Sequence, residues 1–126
     1  MVQYRTQRAE KTLLEAKWAI DNDTLALAEN RIYYAIFYIV SALALKFNFS
    51  TSKHSTLRGW FNQMFLKNRV IDIEFGKTYS TAFEKRQKAD YDDFVAFASE
   101  EVAYDLENAK QFIEQVKSMI CEHSET

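Results

Sequence analysis

No proline occurs among the 126 residues, glycine stands only at Gly59 and Gly76, and cysteine only at Cys121. Without residues that turn a chain sharply, an array of short strands is excluded, and long helices are the natural alternative. A lone cysteine closes no internal disulfide, which fits a reducing cytosol. Cys121 is expected to be a small packing residue near the end of the last helix. Histidine is nearly as scarce, at His54 and His123. No second His or Cys is spaced to help His54, so neither a metal site nor a cofactor is expected. Charge of one sign is lacking too, because a net charge of −2 argues against a general polyanion binder. The longest apolar run, Ile32 to Leu45, is too short for a membrane span and holds three tyrosines and a serine. Residues 1–11 carry no apolar signal segment. The expectation is a single cytoplasmic domain over 1–126 with no membrane contact.

Aromatic side chains are plentiful at 15%, so the core should be rich in Tyr and Phe. From Leu25 to Phe47 a 3.6-residue period gives one apolar stripe through Leu25, Ala28, Ile32, Ile36, Ile39, Leu43 and Phe47. A second stripe, with Asn30, Tyr33, Phe37 and Val40, is nearly as apolar. The third mixes Leu27, Arg31, Tyr34, Tyr38, Ser41 and Leu45. A helix apolar on almost every side is a buried central helix, covered by neighbours or by a partner chain.

Around it the periodicity predicts a first helix over 5–20, with Ala9, Leu13, Ala16 and Ile20 inward and Leu14 and Trp18 widening that face. Asp23 is the expected cap of the central helix. A shorter helix over 54–67 buries Leu57, Trp60, Phe61, Met64 and Phe65. Asp72 caps a fourth that reaches Ala89, with Phe75, Tyr79, Ala82, Phe83 and Arg86 inward and Lys85 and Lys88 in solvent. An acidic and aromatic loop, 90–94, leads to a last helix capped by Ser99. Residues 123–126 should fray.

Short connectors favour antiparallel neighbours, hence an all-α, antiparallel up-and-down bundle of four long helices and one shorter one. Strict alternation would carry His54, Arg86 and the 90–94 loop to one end. Arg31 would then sit near the other, about 24 Å away at 1.5 Å per residue, making two candidate places rather than one.

Three segments resemble a known family: Asn30-Arg31-x-Tyr33-Tyr34-Ala35-x-Phe37-Tyr38, His54-Ser55, and Arg86-Gln87-Lys88-Ala89-Asp90-Tyr91-Asp92-Asp93-Phe94. They look like the HEPN domain, and more narrowly the small stand-alone prokaryotic HEPN proteins, over nearly the whole chain. The resemblance implies a helical bundle, commonly a homodimer, often beside a minimal nucleotidyltransferase as a toxin–antitoxin pair. Active members are metal-independent RNases, in which an Arg is followed after four to six residues by a His. There the His works on the ribose 2′-hydroxyl and the Arg binds the scissile phosphate. In this chain Arg86 matches the Arg, while the His spacing falls on Tyr91, Asp92 or Asp93. Tyrosine, with an ordinary pKa of about 10, is a poor base at neutral pH. Carboxylates at those positions repel phosphate.

The resemblance therefore implies a toxin–antitoxin or defence-type protein that binds RNA, a nucleotide or a partner through a degenerate nuclease motif. The alternative is an endoribonuclease using Arg86 with His54 or Tyr91. Arg86, Lys53, His54 and Asp90 are the candidate nucleotide or RNA contacts. Arg86 could also simply pair with Asp90, Asp92 or Asp93. His54 could bond only its own first turn. Arg31, with Tyr34 and Tyr38, forms either a dimer seam, a nucleotide contact, or a buried ion pair with Glu15 or Glu74 stacked on tyrosine. Basic residues that include Arg5, Arg8, Lys53, Arg58 and Arg86 are nearly balanced by acids, so strong sequence-independent RNA binding is not expected.

Overall fold

The computed structural model describes residues 1–92 and 95–123, and its elements are all helices. The expectations for Asp93, Phe94 and the frayed end past His123 lie outside the described residues. In chain order the elements are α1 (Val2–Asp21), α2 (Leu25–Lys46), α3 (His54–Phe61), α4 (Ile73–Tyr91) and α5 (Ser99–His123). A single π turn, Asn62–Leu66, continues α3.

The central position of α2 follows from its stripes: it packs against α1, α3, α4 and α5. Ile32, Ile36, Ile39 and Leu43 of the first stripe and Tyr33 and Val40 of the second are all buried. Against them lie Phe61, Tyr79 and Phe112, the last with its ring centroid 5.5 Å from Phe61 and 5.8 Å from Tyr79. Burying a side chain of this size contributes about 1.5–3 kcal/mol.

With so little glycine, the helix ends are closed by other residues. Asp23, Asn48 and Arg69 have φ of 55°, 61° and 57°, the left-handed region where glycine is usual. The 6→1 and 5→2 bonds that accompany it are present, such as Thr24 N–H to Ala19 and Asp23 N–H to Ile20. Asp23 thus closes α1 and does not cap α2, whose flanking Thr24 hydroxyl bonds back to Ala19 O. Asp72 does cap α4, accepting from Glu74 N–H at 3.0 Å. Ser99 is the first residue of α5, not its cap.

Chain direction departs from the predicted alternation at α3. Residues 47–53 fold back along α2, so that the His54 ring stacks on Phe37 at 4.4 Å. Then α3 and its π turn return to the end α2 has just reached, where Phe65 meets Phe47 at 5.6 Å. Starting from that end, α4 runs antiparallel to α2, with Phe83 against Tyr33, Arg86 against Tyr34, and Asp90 against Asn30. In turn α5 runs antiparallel to α4, from Lys85–Glu101 to Phe75–Phe112. The end of α4 therefore lies beside the start of α2, and the two candidate places merge into one.

Other expectations are corrected by exposure. Leu14 and Trp18 are 73% and 58% exposed, because the face that α1 buries is made of small residues, Ala9, Thr12, Ala16 and Ala19. Met64 is exposed as well. Cys121 is exposed rather than packed. Asp90 and Tyr91 belong to the last turn of α4, not to a loop.

Candidate functional site

The site is built on one face of α2, where Asn30, Arg31, Tyr33, Tyr34, Phe37 and Tyr38 lie within two turns or so. Arg86 approaches from α4. Its Nη2 donates to the Tyr34 hydroxyl at 3.1 Å, and its guanidinium carbon lies 5.1 Å from the Tyr33 ring centroid and 5.5 Å from that of Tyr34. Its Nε faces Asp90 Oδ2 at 3.3 Å. Of the carboxylates anticipated for Arg86, Asp90 pairs with it, and Asp93 lies outside the described residues. Burial works against the charge on Arg86, and the Tyr34 bond and the negative charge of Asp90 more than restore it.

Arg31 reaches the same ring, 5.2 Å from the Tyr34 centroid. Its Nε and Nη2 donate to Asn30 Oδ1 at 3.0 and 2.7 Å, while Asn30 Nδ2 donates to Asp90 at 3.1 Å. A continuous polar chain thus joins the two arginines. Glu15 pairs with Arg31 at 3.3 Å, whereas Glu74 pairs with Lys77. The Arg31 and Glu15 side chains are 28% and 45% exposed, so this is no buried ion pair. Arg31→Ala should cost about 1–2 kcal/mol in chemical denaturation. A loss of several kcal/mol would mean that the pair is desolvated.

Folding back residues 47–53 delivers His54. Its Nδ1 lies 2.5 Å from the Tyr33 hydroxyl, and its ring stands edge-on to Tyr34 at 5.7 Å. Among the described residues, the hydrogen bond shown for His54 is to Tyr33 and not to its own first turn. Tyr33 is fully buried, and burial pushes its pKa up. Its O–H needs an acceptor, and Nδ1 supplies one. If the ring donated instead, the phenol proton would be left unpaired in the core. This fixes the proton of neutral His54 on Nε2. Burial, then the nearby Arg86 charge, holds the His54 pKa below its ordinary value, so the ring is neutral at pH 7.

Tyr91 is not brought to this constellation. Five residues beyond Arg86 the helix has turned about 140°, and Tyr91 is 78% exposed beside Glu84, Gln87 and Lys88. Lys53 is exposed just before His54. Tyr38 lies under Arg8, whose guanidinium carbon is 4.8 Å from the ring centroid. Among the described residues, no group of three or more His, Cys, Asp or Glu is placed to hold a metal ion.

A second polar cluster went unread. Glu29 is 1% exposed on α2, with Lys85 Nζ 3.7 Å from its Oε2. Lys85 also holds Glu101 at 2.8 Å and Asp105 at 2.5 Å, and its side chain is only 18% exposed. It is therefore not the solvent-facing lysine expected. Burial, then Asp105, pushes the Glu29 pKa up to about 9. Arg8 and Arg58 likewise contact aromatic rings; Arg58 covers the Phe83 ring at 4.2 Å. A carboxylate amid the apolar stripes of α2 was the one signal for Glu29.

Comparison with known proteins agrees with this architecture. The family profile of the HEPN domain matches residues 2–120. A UPF0332 protein of Thermotoga maritima is 39% identical over 120 residues, covering 95% of this chain and 91% of that protein. Two proteins of Methanocaldococcus jannaschii, provisionally named as toxins, are 32% and 29% identical. Those matches cover 90% of this chain and 78% of the first relative, and 96% of this chain and 90% of the second. Among the described residues, no helix is long and apolar enough to cross a membrane.

Proposed function

The chain belongs to the HEPN domain family, and on that premise we propose that it is a cytoplasmic toxin-type protein of a toxin–antitoxin or defence pair. It acts by binding RNA or a nucleotide phosphate at Arg86, not by cutting RNA. The observation that carries this reading is the state of the groups around Arg86. The guanidinium is held by Tyr34 and Asp90 with donors to spare, whereas His54 spends its Nδ1 lone pair on the Tyr33 hydroxyl. A His protonated on Nε2 donates a hydrogen bond and cannot take a proton from a ribose hydroxyl. Tyr91 stands on another side of α4. The arrangement supports anion binding without a general base.

Homodimerisation is part of the proposal, as is a nucleotidyltransferase-type partner. Exposed Leu14, Trp18 and Leu27 line an apolar groove of about 610 Å³, edged by Lys11, Glu15 and Arg31. An apolar face rimmed by both charge signs suits a second copy of itself. A monomer mass at micromolar concentration in light scattering would count against this.

The second reading, a metal-independent endoribonuclease, rests on the closeness of His54 to Arg86. Cleavage of a labelled RNA pool in excess EDTA separates the two. The folded wild type is expected to bind the pool without cutting it, and Arg86→Ala to bind it about tenfold more weakly. Cleavage by wild type that is lost in Arg86→Ala and His54→Ala, with melting preserved, would establish the nuclease instead.

A further inference from the structure

A groove of about 570 Å³ opens beside the Arg86 constellation, between the start of α1, the middle of α2 and residues 50–54. This size is within the range of small-ligand sites. Its lining has a consistent chemistry: Arg5 and Arg8, three hydroxyls from Ser50, Thr51 and Ser52, aromatic rings, and no carboxylate. Several cations elsewhere are neutralised locally, as Lys85 is by Glu101 and Asp105 and Lys117 by Glu10. Among the described residues neither Arg5 nor Arg8 forms an ion pair, although the chain as a whole is acidic.

Arg8 is oriented by neutral groups. Its Nη1 donates to the Tyr4 hydroxyl at 3.3 Å, and the Tyr38 ring lies under its guanidinium carbon at 4.8 Å. A guanidinium fixed by two phenols keeps its charge uncompensated and most of its donors unspent. Next to it, the Phe37 ring stacks on His54 and meets Tyr38 edge-on at 5.9 Å. The Thr51 hydroxyl accepts from Lys53 N–H and still has its own proton to donate. Oriented arginine donors, free hydroxyls and aromatic or guanidinium surfaces for stacking are what a nucleoside phosphate requires. A simple inorganic anion needs no rings, and an acidic peptide needs none either.

We propose that this groove is a second subsite, which takes one nucleoside phosphate, with the phosphate on Arg8 and Arg5 and the base against the Tyr4–Phe37–Tyr38 side. It rests on the reading of the Arg86 face as an RNA or nucleotide site and extends it, because His54 lines the groove and also joins the Arg86 constellation through Tyr33. The nucleoside phosphate is either a free mononucleotide or the next residue of a strand whose neighbouring phosphate lies on Arg86.

The test is titration of the full chain with AMP, by calorimetry, and with a fluorescein-labelled hexauridylate, by anisotropy. Wild type is compared with Arg8→Gln, Arg5→Gln and Arg86→Gln, each checked for an unchanged melting temperature. Arg8 is exposed, so its substitution should leave the fold intact. About tenfold weaker AMP binding in Arg8→Gln and Arg5→Gln would assign a free mononucleotide. Weakening of the hexauridylate alone, with the salt dependence reduced by about 0.7 in log–log slope, would assign a strand. No saturable binding of either probe, or equal affinity of wild type and Arg8→Gln for both, overturns the subsite. If Arg8→Gln weakens the hexauridylate and Arg86→Gln does not, the subsite stands and the Arg86 reading fails.

Discussion

Lys85→Ala is expected to cost about 3–5 kcal/mol of folding stability at pH 7, an unusually large effect for a lysine. Among the described residues, its Nζ is the one cation within ion-pair distance of Glu29, Glu101 and Asp105. The charge itself is disfavoured by burial, but hydrogen bonds to Asp105 and Glu101 raise the Lys85 pKa regardless. Removing Lys85 leaves the Asp105 side chain, 12% exposed, without its cation beside fully buried Glu29. Chemical denaturation at pH 7 measures this directly. A loss below about 1 kcal/mol at pH 7 would mean that water solvates the cluster.

Glu29→Gln is the contrasting variant and should do no harm at pH 7. Glu29 has a folded pKa raised from about 4.5 to about 9, so the folded state holds a proton that the unfolded chain releases. Its share of stability is complete below pH 4.5 and is lost as pH rises through 9. Glutamine keeps the shape and the neutrality without that dependence. The variant should therefore melt increasingly above wild type between pH 5 and 9.

Which parts of this arrangement are legible in sequence depends on how local their causes are. The α2 stripes, the inward positions of α4 and the Asp72 cap follow from period and short-range bonding, and the structure contains them. Asp23 misled because Asp serves both helix starts and left-handed helix ends, and only the φ of 55° decides. Residues 47–53 read as an ordinary connector, yet their return along α2 sets the direction of α4 and carries Arg86 and Asp90 to Asn30 and Arg31. No residue type encodes that return; Trp60 stacked on Phe49 and Phe65 against Phe47 hold it in place, and those contacts are long-range packing. The same cause hid the Tyr33–His54 bond. A helix that stops at Ala89 leaves Tyr91 in a loop that can turn back towards Arg86, whereas α4 runs on to Tyr91. Two more helical residues swing it away.

Arg86→Ala should show whether the site is one electrostatic unit. The cost in stability is expected to be about 2–4 kcal/mol, from one charge-assisted bond to Tyr34 and two cation–π contacts on a side chain that is 12% exposed. Asp90 is not orphaned, because Asn30 Nδ2 still reaches both of its oxygens at 3.1 and 3.4 Å. The more specific result concerns His54. Burial is the larger cause of its low pKa and Arg86 the second, so removing the guanidinium should raise the His54 midpoint without restoring it fully. The sign in stability follows. A histidine whose folded pKa is depressed contributes stability above the ordinary value of about 6.5, and that share is lost as pH falls through the folded pKa. Wild type should therefore lose more stability than Arg86→Ala between pH 7 and 5, and the gap between them should narrow. An NMR titration of the His54 ring proton reads the midpoint directly. A midpoint that stays put in a folded Arg86→Ala would mean that the Arg86 charge is screened from His54. The two side chains would then act independently, and the site would not be one electrostatic unit.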